Sequence, residues 1–431
     1  MPGINRLSHQ KRVRMILDDR QEPPLVWQYA ERYLGAGTRA YSRFSQDLEI
    51  SEPYHPQLGL DRFAVPTFRV PPERGAFLRN TLESTTVKLY RGGDGFLLPV
   101  HPETLAFPGL PGLDALTERG PDLTVVPSAN ARTVFVERIG GEPVEPHFVK
   151  LHYPRRLSRF TRRLRQPIIS LQLWAAEELT AAGLPVLPEV AAGVLGSTPA
   201  EAWGFLIRET RPRAHDPGRD PARTSVPAAS GTPRFTVPLF ALYGRDVREP
   251  GDPPLMAQLI ARSGEDPAGW LARRVVAPMV RLWLHAVTTT GCVPEPHGQN
   301  TLVAFDPDGR RTAIVYRDCG VYVDPAIRAE RGLTRGLPPV NVISRDVRQP
   351  RERVFSLTYD SFMGHHALDR LAQVAADTLD VDPERLRQAA RETFAAGPEV
   401  TLPPTVHYYE DRLHGNGRWN LVDTGEPPAW R

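Results

Sequence analysis

The chain has 431 residues, of which 41% are hydrophobic and 24% charged, with a formal net charge of +3 and two cysteines, Cys292 and Cys319. So long a chain outgrows one hydrophobic core and predicts two or three lobes, while so small a net charge gives no case for nucleic acid. No apolar run is long enough to span a membrane, two cysteines make no disulfide framework, and the polar, basic residues 1–20 lack the apolar core of a secretory signal, so a reducing cytoplasm is the expected compartment.

In chain order, Leu25 to Leu34 fits a helix ended by Gly35. Residues 51–145 are rich in Pro and Gly, with short apolar runs such as Gly95 to Val100. Arg132–Glu137 and His147–His152 read as strands of a hairpin that turns at Gly140-Gly141. Pro167 to Ala182 fits a helix, with Gly183 and Pro185 as stop signals. Gly204–Arg208 and Phe235–Leu242 read as further strands, separated by an aperiodic Pro- and Arg-rich insertion over 211–234. Asp266-Pro267 opens a helix that runs to about Thr290, kinked at Pro278 and ended by Gly291. Thr301–Phe305 and Thr312–Tyr316 form a hairpin around Asp306-Pro-Asp-Gly309. His366–Leu379 and a segment from Asp382-Pro383 to Gly397 are helical. The mixture predicts an α+β fold with a β-rich middle and a helical C-terminal half.

The segment richest in chemistry is Glu295-Pro-His297-Gly-Gln299-Asn300, followed by the hairpin and Arg317-Asp318. A hairpin of this length returns its second end to its first, so Asn300 and Asp318 meet. An amide oxygen beside a carboxylate suits Mg²⁺ and, with it, a phosphate. His297 is placed to donate to a phosphate or a developing oxyanion. The alternative is a polar turn before a solvated hairpin. The layout is similar to the catalytic loop of kinase-like phosphotransferases, with Gln299 where those carry an aspartate base. Glutamine cannot accept a proton, but a carboxylate nucleophile is already ionised near neutral pH. Gln299 therefore favours carboxylate attack on ATP over phosphorylation of an alcohol.

Lysine occurs only at Lys11, Lys88 and Lys150; every other cation is arginine. Lys150 ends an apolar strand and leads into a loop carrying Arg155, Arg156, Arg159, Arg162 and Arg163, which suits an anionic pocket for a polycarboxylate and a triphosphate. A solvated basic helix is the alternative for the arginines. The loop Ser128-Ala-Asn130-Ala-Arg132-Thr133 offers hydroxyls, an amide and a cation to phosphate, or is turn chemistry alone. His55 and His101, each beside a proline, read first as structural. His365-His366 has only Asp369 nearby as a further metal ligand.

Together these segments resemble the NRPS-independent siderophore (NIS) synthetases, the aerobactin-synthetase (IucA/IucC) family, over roughly residues 50–420. The most specific match is Glu-x-His-x-Gln-Asn at Glu295, His297, Gln299 and Asn300, then Arg317-Asp318. Lys150, Ser158 and Arg162 fill the family's Lys, hydroxyl and Arg positions, and Arg132-Thr133 its Arg-Thr loop. Tyr54-His55-Pro56 and Pro99-Val-His101-Pro102 look like its two His-Pro elements. The resemblance implies a reduced thumb over 1–50, β-rich fingers over 51–245 and a kinase-like helical palm over 246–431. It implies a ligase that adenylates a citrate-like carboxylate with ATP and Mg²⁺ and condenses it with an amine or alcohol, and a homodimer. Ser128, Arg132, Thr133, Lys150, His297, Asn300 and Asp318 would hold ATP. Glu295, Asn300 and Asp318 would hold the metal, and Ser158, Arg162, His297 and Gln299 would face the carboxylate. Departures from the pattern are Glu52 in place of a histidine, Gly59 in place of a lysine, Ala129 and Asn130 in place of serine, and no lysine before Arg412-Leu413. A kinase-like phosphotransferase and a catalytically degenerate metabolite-binding relative are the competing readings.

Overall fold

Seven antiparallel strands between residues 63 and 208 make the larger of two sheets that frame the site. Their positions come from a computed structural model, which describes residues 20–36, 38, 48–157, 160–161, 163–212, 233–343, 350–410 and 420–431. β1 (Phe63–Val65), β2 (Gly75–Arg79), β3 (Leu123–Pro127), β4 (Thr133–Ile139), β5 (Glu142–Lys150), β6 (Glu189–Leu195) and β7 (Trp203–Arg208) lie in the order β1-β3-β4-β5-β7-β6-β2. The β4–β5 hairpin turns where expected, at Gly140 and Gly141, whose φ of 60° and 89° suit residues without a Cβ. Its register sets Thr133 opposite Lys150, and β7 sets Leu206 on the other side of Lys150. Both faces of β6 and β7 are buried. Helix α2 (Gln166–Ala181) covers one face through Ile169 and Leu173, which meet Val194 and Leu206.

The second sheet has three strands, β8 (Phe235–Pro238), β9 (Thr301–Phe305) and β10 (Thr312–Tyr316), with β9 in the middle. The expected strand over 235–242 stops at Pro238, and Phe240–Tyr243 is a helical turn instead. Beyond Leu239 the backbone leaves the β9 ladder and bonds to Gly298, with Phe240 N donating to its carbonyl at 3.0 Å. Helix α1 (Pro23–Tyr33) wedges between the sheets. Its Trp27 meets Phe148 at 5.1 Å in a cluster with Phe135, Leu302 and Val315, and full burial of such side chains contributes roughly 1.5–3 kcal/mol each.

The C-terminal half is helical and surrounds the largest core. The helix expected over 267–290 is Pro267–Leu271, a π turn over Ala272–Val276, and α3 (Ala277–Thr290). The π turn, in which Ala277 N reaches Ala272 O, directly precedes Pro278, which has no N–H to give. The helix expected to start at His366 begins earlier: Arg351–Ser356 leads into a π-helix over Leu357–Leu368 and then α4 (Asp369–Leu379). Residues 357–368 are buried nearly all round, so they lack the one-sided pattern by which a sequence advertises a surface helix. α5 (Pro383–Ala395) follows its Asp382 cap as expected. No helix among the described residues is long and apolar enough to cross a membrane, and both cysteines are buried and free.

Candidate active site

The two sheets touch where β5 ends and the β9–β10 hairpin returns. Arg317 N donates to Asn300 O at 2.9 Å, so the start and end of the hairpin lie side by side. The next residue, Asp318, has φ 73°, a left-handed backbone that non-glycine residues seldom adopt. Its carboxylate receives Lys150 Nζ at 2.7 Å on both oxygens, and Gln172 of α2 accepts from the same ammonium at 2.9 Å. Arg208 lies 3.8 Å from Asp318 and pairs with Glu189 at 2.6 Å. Lys150 is 2% exposed and Asp318 23%. Burial pulls the Lys150 ammonium down to about 8 against the opposing pull of Asp318, with Arg132 and Arg208 adding to the fall. Burial pushes the Asp318 carboxyl up, but Lys150 and Arg208 outweigh it and hold it well below the carboxylate range. An ion pair this buried is kept at a desolvation cost, which suits a site that binds charge.

The loop from Ser128 to Thr133 lies beside this pair. Asn130 Oδ1 accepts Thr133 N at 2.8 Å and faces Ser128 Oγ at 3.4 Å, and Ala131 has φ 63°. Ser128 and Asn130 therefore shape the turn. Arg132 acts electrostatically on Lys150 and Asp318. Among the described residues, Thr133 Oγ1 is buried with no hydrogen-bond partner, opposite Lys150 in the β4–β5 register. A cationic cluster with an orphaned buried hydroxyl fits a polyphosphate, which would supply the missing acceptor.

His297 begins a tight turn. Asn300 N and Thr301 N both donate to its carbonyl at 3.0 Å, and Gln299 N donates to its Nδ1 at 3.2 Å, which assigns the ring proton to Nε2. Glu295 N donates to the Tyr316 hydroxyl at 2.9 Å. Arg317 Nε donates to Gln299 O at 2.8 Å, and its guanidinium forms a buried ion pair with Glu31 of α1. Glu31 also accepts from Ala129 N at 3.2 Å. Beside this turn opens a cavity of about 240 Å³, lined by Glu31, His55, Tyr243, His297, Gln299 and His366 among others. His55 Nδ1 accepts Gln57 N and Leu58 N, both at 3.2 Å. The His55 loop is held by Arg32, whose guanidinium donates to Pro56 O at 2.8 Å, to Leu60 O at 3.2 Å and to Asp61 Oδ1 at 2.9 Å.

The structure thus joins Lys150 to Asp318, sets Arg132 and Thr133 next to them, and turns His297 and Gln299 to the cavity. Asn300 is buried, with its carbonyl given to Arg317. Ser158 and Arg162 lie outside the described residues. Glu295, Asn300 and Asp318 share one end of the hairpin, but among the described residues no three His, Cys, Asp or Glu side chains gather as a metal-binding group. Asp318 and Asn300 still offer the hard oxygens that Mg²⁺ prefers, once Lys150 releases the carboxylate. His101 is buried and structural. It caps the helix Pro102–Leu105 by accepting Glu103 N, and burial lowers its imidazole to about 4. Sequence reading missed Glu31, Arg32, Gln172, Glu189 and Arg208, and weighed His366 only as a metal ligand. Gln172, Glu189 and Arg208 are polar residues inside or at the end of apolar runs, which is a signal the sequence does carry, whereas the burial of Glu31 and Arg32 is visible only after folding.

Residues 269–397 match the family model of the ferric iron reductase FhuF-like transporters. No protein of curated function matches the sequence. Among solved structures, the aerobactin synthetase IucC from a hypervirulent pathotype of Klebsiella pneumoniae is similar at 18% identity and a TM-score of 0.54, over 83% of this chain and 66% of that one. The ATP-bound aerobactin synthetase IucA of the same source gives 15% identity and a TM-score of 0.61, over 89% of this chain and 72% of that one. The petrobactin biosynthesis protein AsbB from Bacillus anthracis str. Sterne gives 14% and 0.56, over 83% and 67%. The chain spans about two thirds of the length of these structures.

Proposed function

Since the chain shares the α+β fold of the NIS synthetases and carries an FhuF-like segment, we propose that it is an ATP-dependent ligase that adenylates a carboxylate and condenses it with an amine or alcohol. The observation that carries this reading is the Lys150–Asp318 pair beside the His297–Asn300 turn, with Gln299 in the place of a catalytic aspartate. In the first step a carboxylate oxygen bonds to the α-phosphorus of ATP and the bond to pyrophosphate breaks. Lys150 and Arg132 hold the phosphates, Thr133 Oγ1 donates to one of them, and His297 Nε2–H meets the charge developing on the α-phosphate. Mg²⁺, held by Asp318 and Asn300 with Glu295 orienting, would neutralise phosphate charge. Ser158, Arg162 and Gln299 position the carboxylate, which needs no base. In the second step the nucleophile bonds to the acyl carbon and AMP leaves. The reduced thumb, fingers and palm are assigned to residues 1–50, 51–245 and 246–431.

The test is incubation of the protein with ATP, Mg²⁺ and a panel of polycarboxylates and amines. Pyrophosphate and AMP release that depends on the carboxylate supports the reading. ADP release with phosphorylation of an alcohol supports the kinase-like alternative instead. ATP binding by calorimetry without turnover marks a degenerate relative.

A further inference from the structure

Glu189 and Arg208 face each other across β6 and β7, both buried, at the edge of the site. Arg208 Nε donates to Glu189 Oε1 at 2.8 Å, and Arg208 Nη2 lies 2.6 Å from the same carboxylate without hydrogen-bond alignment. The other Glu189 oxygen accepts Cys319 N at 3.3 Å, and Arg208 Nη2 comes to 3.8 Å from Asp318 Oδ2. The pair thus grips residues 318 and 319 from two directions, through the backbone and through the carboxylate. That stretch needs holding. Asp318 has φ 73°, which a residue with a Cβ keeps only where its surroundings over-determine it. The other residues of β6 and β7 are apolar and buried. An apolar pair would fill the same place without the desolvation cost of two charges, so stability alone explains the ion pair poorly. Lys150 and Arg208 set two positive charges against the two negative charges of Glu189 and Asp318, so these four groups balance while Lys150 stays on Asp318.

We propose that Glu189 and Arg208 are positioning residues for Asp318: Glu189 fixes the backbone that follows it, and Arg208 takes over its carboxylate when Lys150 turns to phosphate. The inference rests on the ligase reading and deepens it, by naming what keeps Asp318 aimed once its lysine is engaged elsewhere. With Lys150 drawn to an anion, Arg208 is left between two carboxylates. Its Nη2, which has no hydrogen bond among the described residues, then has an acceptor to turn to in Asp318 Oδ2. A guanidinium suits this task because its planar fork holds Glu189 through Nε and Asp318 through Nη2 at once, which a single ammonium cannot do. One oxygen of Asp318 is thereby fixed, and the other is left for a divalent cation. That other oxygen is Oδ1, beside Gly320, where a Cβ would crowd it at 3.3 Å. Neither Glu189 nor Arg208 touches a substrate in this arrangement, and both act through Asp318.

The experiment uses the full chain and three variants, E189Q, R208K and K150M. The first arm needs no ligand. Cys292 and Cys319 are the two cysteines of the chain, so labelling cysteine with nitrogen-15 gives two amide signals, and that of Cys319 is the one lost in C319A. E189Q gives the Cys319 N–H a neutral acceptor in place of an ionised one, so its proton signal should move upfield. R208K, which cannot hold Glu189 and Asp318 together, should move it too, and K150M should move it less than either. An unmoved signal in E189Q and R208K, or a larger shift in K150M, overturns the positioning. In the second arm ATP is titrated by calorimetry with and without Mg²⁺. In R208K the gain in affinity that Mg²⁺ brings should shrink by about tenfold or more, the usual scale for groups that orient a metal's ligands, while metal-free affinity stays close to wild type. An equal fall in both conditions, no fall in either, or no gain from Mg²⁺ in wild type overturns the role of Arg208. If R208K does not fold, E189Q, which keeps the shape of the side chain, carries both arms. No ATP binding by wild type in either condition removes the ligase reading instead, and the amide arm alone then decides the positioning.

Discussion

Lys150 and Asp318 are 168 residues apart in sequence, yet one ammonium touches both oxygens of one carboxylate at 2.7 Å. The contact fixes the end of β5 against the end of the β9–β10 hairpin. On the proposed function, it also sets a compact cation where a phosphate would arrive.

The first prediction concerns the shape of that cation. Lys150→Arg keeps the charge but replaces a point donor, flanked by Gln172 and Asp318, with a planar fork that the buried site cannot seat. Carboxylate-dependent pyrophosphate release should fall on the order of a hundredfold, the usual scale for one well-placed electrostatic contact. Activity within about twofold of wild type would count against a phosphate role.

The second prediction is a pH dependence. Lys150 titrates at about 8 in the folded protein against its ordinary 10.5. Between those values the unfolded chain holds more protons, so the stability contributed by this group rises with pH there. Below 8 both states are protonated and the cost of burying the charge is felt in full. Ligand binding runs the other way, because phosphate needs the ammonium. ATP affinity measured by calorimetry should weaken as pH rises through about 8, and the Lys150→Arg protein, which keeps its charge, should bind weakly with no such step.

A third prediction tests the wedge helix. Glu31→Gln leaves Arg317 buried without its counter-ion. Breaking a buried pair from one side costs about 3–5 kcal/mol, so the denaturation midpoint should drop clearly. A midpoint unchanged within error would show that water or a neighbour already solvates Arg317.

The fourth prediction concerns Gly59, where the NIS synthetases carry a lysine. A Cβ there would sit 2.5 Å from Glu52 O and Pro53 O and 2.7 Å from His55 O. Gly59→Lys should therefore not restore the family's residue. It should displace the loop that Arg32 holds, at a cost of about 1–3 kcal/mol, seen as a lowered melting temperature. An unchanged melting temperature would mean that the loop opens without cost.

Much of the fold was legible because its signals are local. Gly140-Gly141, Asp306 to Gly309, Asp266-Pro267 and Asp382-Pro383 each announce a turn or a cap within a few residues. Half of the site was legible for the same reason, since a hairpin of readable length brings Asn300 back to Arg317. The rest depends on tertiary contact. Glu31 meets Arg317 across 286 residues, and nothing near Glu31 in the sequence marks that partner. Arg32 spends its donors mostly on carbonyls, which have no residue identity to read. The π-helix that presents His366 is buried on all sides, so its sequence carries no periodic stripe. Leu239 to Leu242 have strand-like composition, but a backbone bond to Gly298 decides their shape.

The Lys150–Asp318 bond also acts as a latch. The large sheet and the hairpin belong to different halves of the chain, and here one ammonium adds to the backbone bonds between Tyr316 and residues 185 and 187 that hold them at a shared edge. On the proposed function, an anion that drew Lys150 away would remove that one contact, and a divalent ion on Asp318 would do the same from the other side. Arrival of the nucleotide would then be registered as looser coupling between the halves before any bond is made. Hydrogen exchange at the ends of β5 and β10, compared with and without ATP, would follow that loosening directly.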